Sequence, residues 1–201
     1  MIGIIDYGAG NIKSVEKALD YLGEQTCVTG DKDTLLSADK VILPGVGSFG
    51  AAMENLKKKG LIEVIEEIVE DKTPLLGICL GMQMLFESSD ETPGVRGLSL
   101  LKGKINKIPY QEGLKIPHMG WNNLTFPNKS RLFEGLPKNP YVYFVHSYYL
   151  QAENEKIVAA ETEYGVKIHA AVESGNIFGC QFHPEKSSEV GLMILDNFRM
   201  L

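Results

Sequence analysis

Two short stretches carry side chains suited to covalent chemistry. In Gly77-Ile78-Cys79-Leu80-Gly81, an apolar run ends on a thiol set between glycines, and a helix-compatible segment, Leu80 to Ser88, follows at once. A reactive side chain on a tight strand-to-helix turn needs small neighbours, and free backbone N–H groups behind it favour a thiolate and a developing oxyanion. The plain alternative is an inert core cysteine between structural glycines. The second stretch is Phe178-Gly179-Cys180-Gln181-Phe182-His183-Pro184-Glu185-Lys186-Ser187. Among the four histidines, His118, His146, His169 and His183, only His183 stands in a compact acid–base grouping, with Pro184 stiffening the exit and Glu185 two residues on. Alone, His-Pro-Glu is more often a polar turn than a catalytic pair. A cysteine nucleophile works best beside a histidine oriented by a carboxylate, so the two stretches gain meaning if the fold brings them together.

The elements that must do so are legible in the apolar pattern. Ile2 to Ile5, Gln25 to Thr29, Val41 to Leu43 and Leu75 to Ile78 read as short buried strands. Between them lie a turn at Gly8 to Gly10 and a helix capped by Asn11, with Ile12, Val15, Leu19 and Leu22 on one face. A Lys- and Glu-rich helical stretch follows later, with Leu61, Val64, Ile65 and Ile68 on its apolar side. Apolar strands alternating with amphipathic helices signal a mostly parallel α/β sheet covered on both faces, where ligands gather at the carboxyl ends of strands. Cys79 lies at such an end, as does the loop from Pro44 to Gly50.

After Pro93 the chain turns to short β-rich segments: Leu101 to Ile108, Trp121 to Phe126, Tyr141 to Leu150, Ile157 to Thr162, Val166 to Glu173 and Ile177 to Phe182. Their Gly, Pro and Asn punctuation predicts antiparallel pieces, with hairpin turns at Glu163 to Gly165 and Ser174 to Asn176. Ser187 to Glu189 reads as the capped start of a last helix, Val190 to Leu201.

Composition narrows the classes. A chain of 201 residues with 44% hydrophobic content is expected to bury one substantial core as one domain, residues 1–201. With 26 acidic and 20 basic residues, a net charge of −6 carries no nucleic-acid footprint. Three scattered cysteines, Cys27, Cys79 and Cys180, fit a reducing cytoplasm, with Cys27 and Cys180 as small core residues. Neither a signal peptide nor the ~20-residue apolar run of a membrane span is expected. No metal or organic cofactor is expected, because nothing resembles a phosphate loop or a metal-ligand cluster.

Pro44-Gly-Val-Gly47, Gly77-Ile-Cys-Leu-Gly-Met-Gln83 and Gln181-Phe-His-Pro-Glu-Lys-Ser187, in this order, resemble the class I (triad) glutamine amidotransferases. With Asp6 to Asn11, Pro117-His-Met-Gly-Trp-Asn122 and Tyr143-Phe-Val-His-Ser-Tyr148, the resemblance spans nearly the whole chain. It extends to the glutaminase subunits of imidazole glycerol phosphate synthase. It implies a flavodoxin-like sheet with added antiparallel strands, L-glutamine as substrate, and a Cys79, His183 and Glu185 triad. The oxyanion hole would come from Leu80 and the Val46 and Gly47 loop. Gly45, Gln83, Glu91, Ser147 and Tyr148 would bind the substrate. The implied partner is a separate (β/α)8-barrel cyclase subunit forming a heterodimer, with Asn11, Met119, Trp121, Tyr143 and Lys186 at the docking face. For Trp121 the competing expectation is core packing, and for Lys186 a solvated charge. A glutaminase for another acceptor, a cysteine hydrolase or a scaffold on the same sheet are the alternatives.

Overall fold

The computed structural model describes residues 1–8 and 11–201, so Ala9 and Gly10 of the expected turn lie outside the described residues. In chain order, the first half runs β1 (Ile2–Ile5), α1 (Ile12–Tyr21), β2 (Thr26–Thr29), α2 (Lys32–Leu36), β3 (Lys40–Leu43), α3 (Phe49–Lys58), α4 (Leu61–Glu70), β4 (Leu75–Ile78) and α5 (Leu80–Met84). The second half adds β5 (Ser88–Ser89), β6 (Gly103–Lys107), β7 (His118–Asn123), β8 (Tyr141–His146), β9 (Tyr148–Ala152), β10 (Val158–Tyr164), β11 (Val166–Ser174), β12 (Ile177–Cys180) and α6 (Ser188–Arg199).

The main sheet has the order β10-β11-β12-β4-β3-β1-β2. From β12 to β2 every pairing is parallel, and β11 runs antiparallel to both its neighbours. Alternate residues of β1, β3 and β4 feed opposite cores. Val41 and Leu43 pack with the apolar faces of α3 and α4, whereas Ile42, Leu76 and Ile78 pack with Val15, Leu19, Ile194 and Phe198 of α1 and α6. Both faces are therefore apolar, as a sheet sandwiched between helices requires.

Several sequence expectations change here. The segment Ile177 to Cys180 meets β11 as a hairpin but joins β4 in parallel, so it carries His183 to the same end of the sheet as Cys79. The Tyr141 to Leu150 run splits at Ser147, because β8 pairs with β7 and β9 pairs with β6. The helix after Cys79 stops at Met84: the carbonyls of Met84 and Leu85 take N–H groups from Leu98 and Leu101 instead of continuing the helix. A short helix, α2, was not signalled by its apolar pattern and is started by Asp31, whose side chain accepts from the Thr34 N–H at 2.9 Å. The Lys- and Glu-rich stretch is two helices, divided at Gly60 with φ 64°. Neither Asn11 nor Ser187 caps its helix with its side chain: Asn11 Oδ1 accepts from the Ser14 hydroxyl at 2.7 Å, and Ser187 Oγ accepts the Tyr143 N–H at 2.9 Å. Cys27 lies half-buried on the edge strand β2, whereas Cys180 is fully buried. No described helix is long and apolar enough to cross a membrane.

Candidate active site

Three strands deliver the site. β3 ends at Leu43 and β4 at Ile78, with Leu43 in register with Gly77 and Ile78 with Cys180 of β12. The chains leaving these ends are thus level, and the Cys79 N–H donates to the Cys180 carbonyl at 2.7 Å. Cys79 has φ 56° and ψ −112°, a backbone conformation that costs a non-glycine residue on the order of 1–3 kcal/mol and persists only where neighbours enforce it. The enforcement is close packing. A Cβ on Gly81 would sit 1.8 Å from the Leu43 carbonyl oxygen, and one on Gly45 would sit 2.6 Å from the Gly81 nitrogen. These glycines let the elbow press onto the loop after β3. Because α5 is so short, its macrodipole is small, and what it offers an anion is the local N–H groups of its first turn.

Cys79 and His183 line one cavity of about 420 Å³ together with Val46, Gly47, Leu80, Gln83, Glu91, Ser147 and Tyr148. Pro117, Val145 and His146 complete the wall. Gly45 does not line it, and is buried behind the elbow against Leu80 and Gly81. His183 Nδ1 lies 2.8 Å from Glu185 Oε1, and both side chains are almost wholly buried. The same carboxylate oxygen accepts from Asn11 Nδ2 at 3.0 Å. Burial alone would push the imidazole pKa down, but the neighbouring Cys79 sulfur and the Glu185 carboxylate outweigh it and raise the ring to about 9. Among the described residues Nε2 has no hydrogen-bond partner of good geometry, although the Cys79 sulfur lies close enough to raise the ring.

The pocket wall is ordered by a directional chain of neutral groups. His146 Nδ1 lies 2.8 Å from the Tyr148 carbonyl, which can only accept, so Nδ1 carries the proton and Nε2 accepts. His118 Nδ1 therefore donates to His146 Nε2 at 3.0 Å, leaving His118 Nε2 to accept from Asn122 Nδ2 at 3.3 Å. Burial pushes His118 down to about 4 and His146 to about 3, so neither ring is charged near neutrality. His169 accepts the Ala152 N–H at 3.0 Å. All three thus hydrogen-bond within the fold.

Glu91 Oε2 accepts the Phe49 N–H at 2.7 Å and Thr92 Oγ1 the Gly50 N–H at 3.2 Å, so these two side chains close the amino end of α3. The Pro44 to Ser48 loop is thereby tied at its far end, while the buried Tyr7 hydroxyl donates to the Pro44 carbonyl at 3.0 Å at its near end. Between these ties Val46 is 40% exposed, and Gly47 has φ 99° with no described atom within 4 Å of where a Cβ would stand. Met119 and Trp121 of β7 are also largely exposed, and Trp121 meets Tyr143 edge to face at 6.1 Å between ring centroids. Trp121 is therefore not a core residue. Lys186 is exposed as well. Among the described residues no cluster of His, Cys, Asp and Glu converges as a metal site would.

The family model for class-I glutamine amidotransferases matches residues 3–200. The chain belongs to the class-I glutamine amidotransferases. Among relatives of this amidotransferase, the imidazole glycerol phosphate synthase subunit HisH of Moorella thermoacetica is 52% identical over 197 residues, 98% of this chain and 93% of that protein. The HisH subunit of Bacillus thuringiensis is 53% identical over 201 residues, 99% of this chain and 94% of that one. At such identity and coverage the amidotransferase groups with the HisH subunits. Its fold is shared with PurLQS from Thermotoga maritima, at a TM-score of 0.77 and 22% identity over 99% of this chain and 97% of that one.

The sequence pattern gives no role to Tyr7, His146 or Gln181 and assigns Asn11 to a helix cap and the docking face. Tyr7, Asn11, His146 and Gln181 are each defined by a long-range contact: Pro44, Glu185, His118 and Cys79 respectively. The one signal available was strand periodicity, since Gln181 stands two residues before His183 and alternate residues share a face.

Proposed function

We propose that the chain is the glutaminase subunit of an imidazole glycerol phosphate synthase, making ammonia for histidine biosynthesis through a thioester on Cys79. The observation that carries the mechanism is the strained Cys79 elbow sharing a cavity with His183, whose Nδ1 is held 2.8 Å from Glu185. Sγ attacks the carboxamide carbon of glutamine. The carbonyl electrons move onto oxygen, where the Leu80 N–H and an N–H of the Val46 and Gly47 loop receive them. An imidazole that titrates near 9 holds its proton at neutral pH, and His183 gives that proton to the departing nitrogen as the C–N bond breaks. Water then attacks the thioester, His183 takes the water's proton, and glutamate leaves. Glu185 keeps Nδ1–H fixed and balances the imidazolium charge.

The recognition end follows from hydrogen-bond accounting. Gln83 Nε2 donates to the Tyr148 carbonyl at 3.0 Å and to Gln181 Oε1 at 2.9 Å. Both amide hydrogens are spent, so only Oε1 of Gln83 is left to meet the substrate, and it suits an N–H of the amino-acid end. Glu91 uses Oε2 on α3 and has Oε1 for the substrate ammonium. Ser147 and Tyr148 supply the opposite wall.

Ammonia released into neutral water is mostly protonated and no longer nucleophilic, so the product is passed inside a complex. The HisH relatives are named as subunits of a synthase, which supports a separate (β/α)8-barrel cyclase subunit as the acceptor, bound as a heterodimer. The exposed Met119 and Trp121, with Tyr143, Asn11 and Lys186 nearby, form the face offered to it, because large aromatics make strong interface anchors. Residues 1–201 act as one amidotransferase domain, and three free thiols suit a reducing cytoplasm. The test is glutamine hydrolysis by the chain alone and with a barrel cyclase, in wild type and Cys79→Ala. Wild type with partner is expected to turn over and Cys79→Ala is not. Equal rates for the two would sink the proposal.

A further inference from the structure

Gln181 is fully buried and does not line the cavity, so it lies behind the nucleophile and not beside the substrate. Its backbone N–H is fixed to the Ala170 carbonyl at 2.8 Å. The orientation of its side-chain amide is decided by its neighbours. Gln83 Nε2 reaches the Tyr148 carbonyl, an obligate acceptor, so that atom is nitrogen. The Gln181 atom 2.9 Å from it must then be oxygen. The remaining end of the Gln181 amide is its Nε2, which lies 3.8 Å from Cys79 Sγ. A flipped amide would set two N–H groups against each other at Gln83, so the donor is locked toward the sulfur.

We propose that Gln181 is a positioning residue for the nucleophile: its amide, turned by Gln83, aims an N–H at Cys79 Sγ, fixes the sulfur in its attacking rotamer and favours thiolate over thiol. A neutral thiol is a poor acceptor, whereas hydrogen bonds to ionised groups are about twice as strong as neutral ones, so the contact discriminates between the two forms. The sulfur is thus addressed from two sides, by His183 across the cavity and by Gln181 from below. Because Gln83 also carries the free oxygen that meets the substrate, one amide pair joins the recognition end of the site to the reacting atom. The inference rests on Cys79 being the nucleophile.

Two near-isosteric variants test it. Gln181→Met removes the donor. Gln181→Glu keeps an oxygen for Gln83 but places an acceptor against the sulfur until the carboxyl is protonated. Each is compared with wild type and Cys79→Ala by iodoacetamide alkylation of the isolated chain, by glutamine hydrolysis in the complex with the cyclase, and by thermal melting. For a folded Gln181→Met, alkylation of Cys79 and kcat should both fall roughly tenfold, the size expected for losing one charge-assisted hydrogen bond, with KM within about twofold. For Gln181→Glu the deficit should be larger at neutral pH and shrink as pH falls and the carboxyl gains a proton to donate, a trend that a packing role would not produce. Alkylation and kcat within twofold of wild type in a folded Gln181→Met, or a Gln181→Glu deficit that is flat with pH, would overturn the proposal. Loss of folding in both variants would overturn it too, since the amide would then serve the sheet and not the sulfur. If wild-type Cys79 is itself no more reactive than the other thiols, the thioester mechanism fails first, and that outcome is distinct from these.

Discussion

The two glycine-rich loops that meet at the cavity are built on opposite terms. The elbow is tightly packed behind its cavity face: Cys79 is 8% exposed, and a Cβ on Gly81 has nowhere to go but into the Leu43 carbonyl. The Val46 and Gly47 segment is tied at both ends, by Tyr7 and by Glu91, yet open between them. In the proposed mechanism the first loop carries the nucleophile and needs one geometry, and the second supplies an oxyanion donor and retains room to turn. The contrast extends to the partners of each loop. Cys79 is wired into the parallel sheet and Glu185 to Asn11, whereas Val46 of the open loop is exposed, as are Met119 and Trp121 of β7. Under the proposed mechanism, a glutaminase divided in this way has its attacking half preorganised, while its charge-stabilising half is free to respond to the proposed cyclase partner.

The sharpest break of this comparison is Cys79→Ala. Loss of the nucleophile should reduce glutamine turnover by about 10⁴-fold or more, as for other triad nucleophiles, while the melting temperature stays near wild type because the elbow is held by its glycines. A large fall in stability would show that the thiol itself braces the turn.

Gly81→Ala comes next and acts on folding. Its Cβ would stand 1.8 Å from backbone oxygen, which no rotamer change relieves, so β3 and the elbow must separate. We expect a loss of about 3 kcal/mol or more, read by denaturant unfolding, together with loss of activity. A near-native melt would mean that the elbow is looser than its packing indicates.

Glu185→Gln leaves the packing and removes the charge. Wild-type His183 is held near 9 in the fold and lies near 6.5 in the unfolded chain, so its contribution to stability is complete below about 6.5 and fades as pH rises toward 9. Without the carboxylate the folded value should drop, so the alkaline limb of kcat/KM moves to lower pH and the pH dependence of melting between 6.5 and 9 flattens. Turnover at neutral pH should fall by about 10²-fold or more, since the orienter also sets the tautomer. An unmoved alkaline limb would assign that limb to another group.

The contrast between the loops also explains what the sequence could and could not tell. The residues of the proposed triad were legible because glycine, cysteine, histidine and glutamate sit at strand ends whose apolar runs are short and clean. That β12 lies parallel beside β4 was not, since its apolar run looks the same in either pairing, and only the fold shows the crossover. Asn11 and Ser187 have the composition of helix caps. Their capping oxygens accept instead from the Ser14 hydroxyl and the Tyr143 N–H, while their donors reach Glu185 and the His183 carbonyl, contacts that join distant parts of the fold or link the His183 segment to β8. Gly45 reads as a substrate-loop residue in sequence, yet it is fixed by contact with Gly81, a constraint with no local signature. Side chains defined by long-range contact are those that sequence pattern assigns last.

On the open side, Trp121→Ala should weaken the complex with the cyclase by about 2–4 kcal/mol, as interface aromatics commonly do, without shifting the melting temperature of the chain alone. Titration of the two subunits measures it. An unchanged affinity would move the docking face off β7.

Gly47→Ala should have the smallest effect on the fold, and it is the closest counterpart to Gly81→Ala. No described atom stands within 4 Å of the new Cβ, so there is no clash; the cost is the positive φ of 99°, about 1–2 kcal/mol for an L-residue if the loop keeps its present conformation. The loop can relax part of this strain because it is exposed, so melting should shift little. Catalysis is more sensitive, since an alanine narrows the conformations through which the loop peptide must pass to present its N–H. We expect kcat in the complex to fall several-fold at constant KM, the pattern of an interaction made in the transition state and not with bound substrate. If Gly47→Ala instead destabilises as much as Gly81→Ala, the loop is as tightly enforced as the elbow, and the division between a fixed attacking half and an adjustable stabilising half is lost.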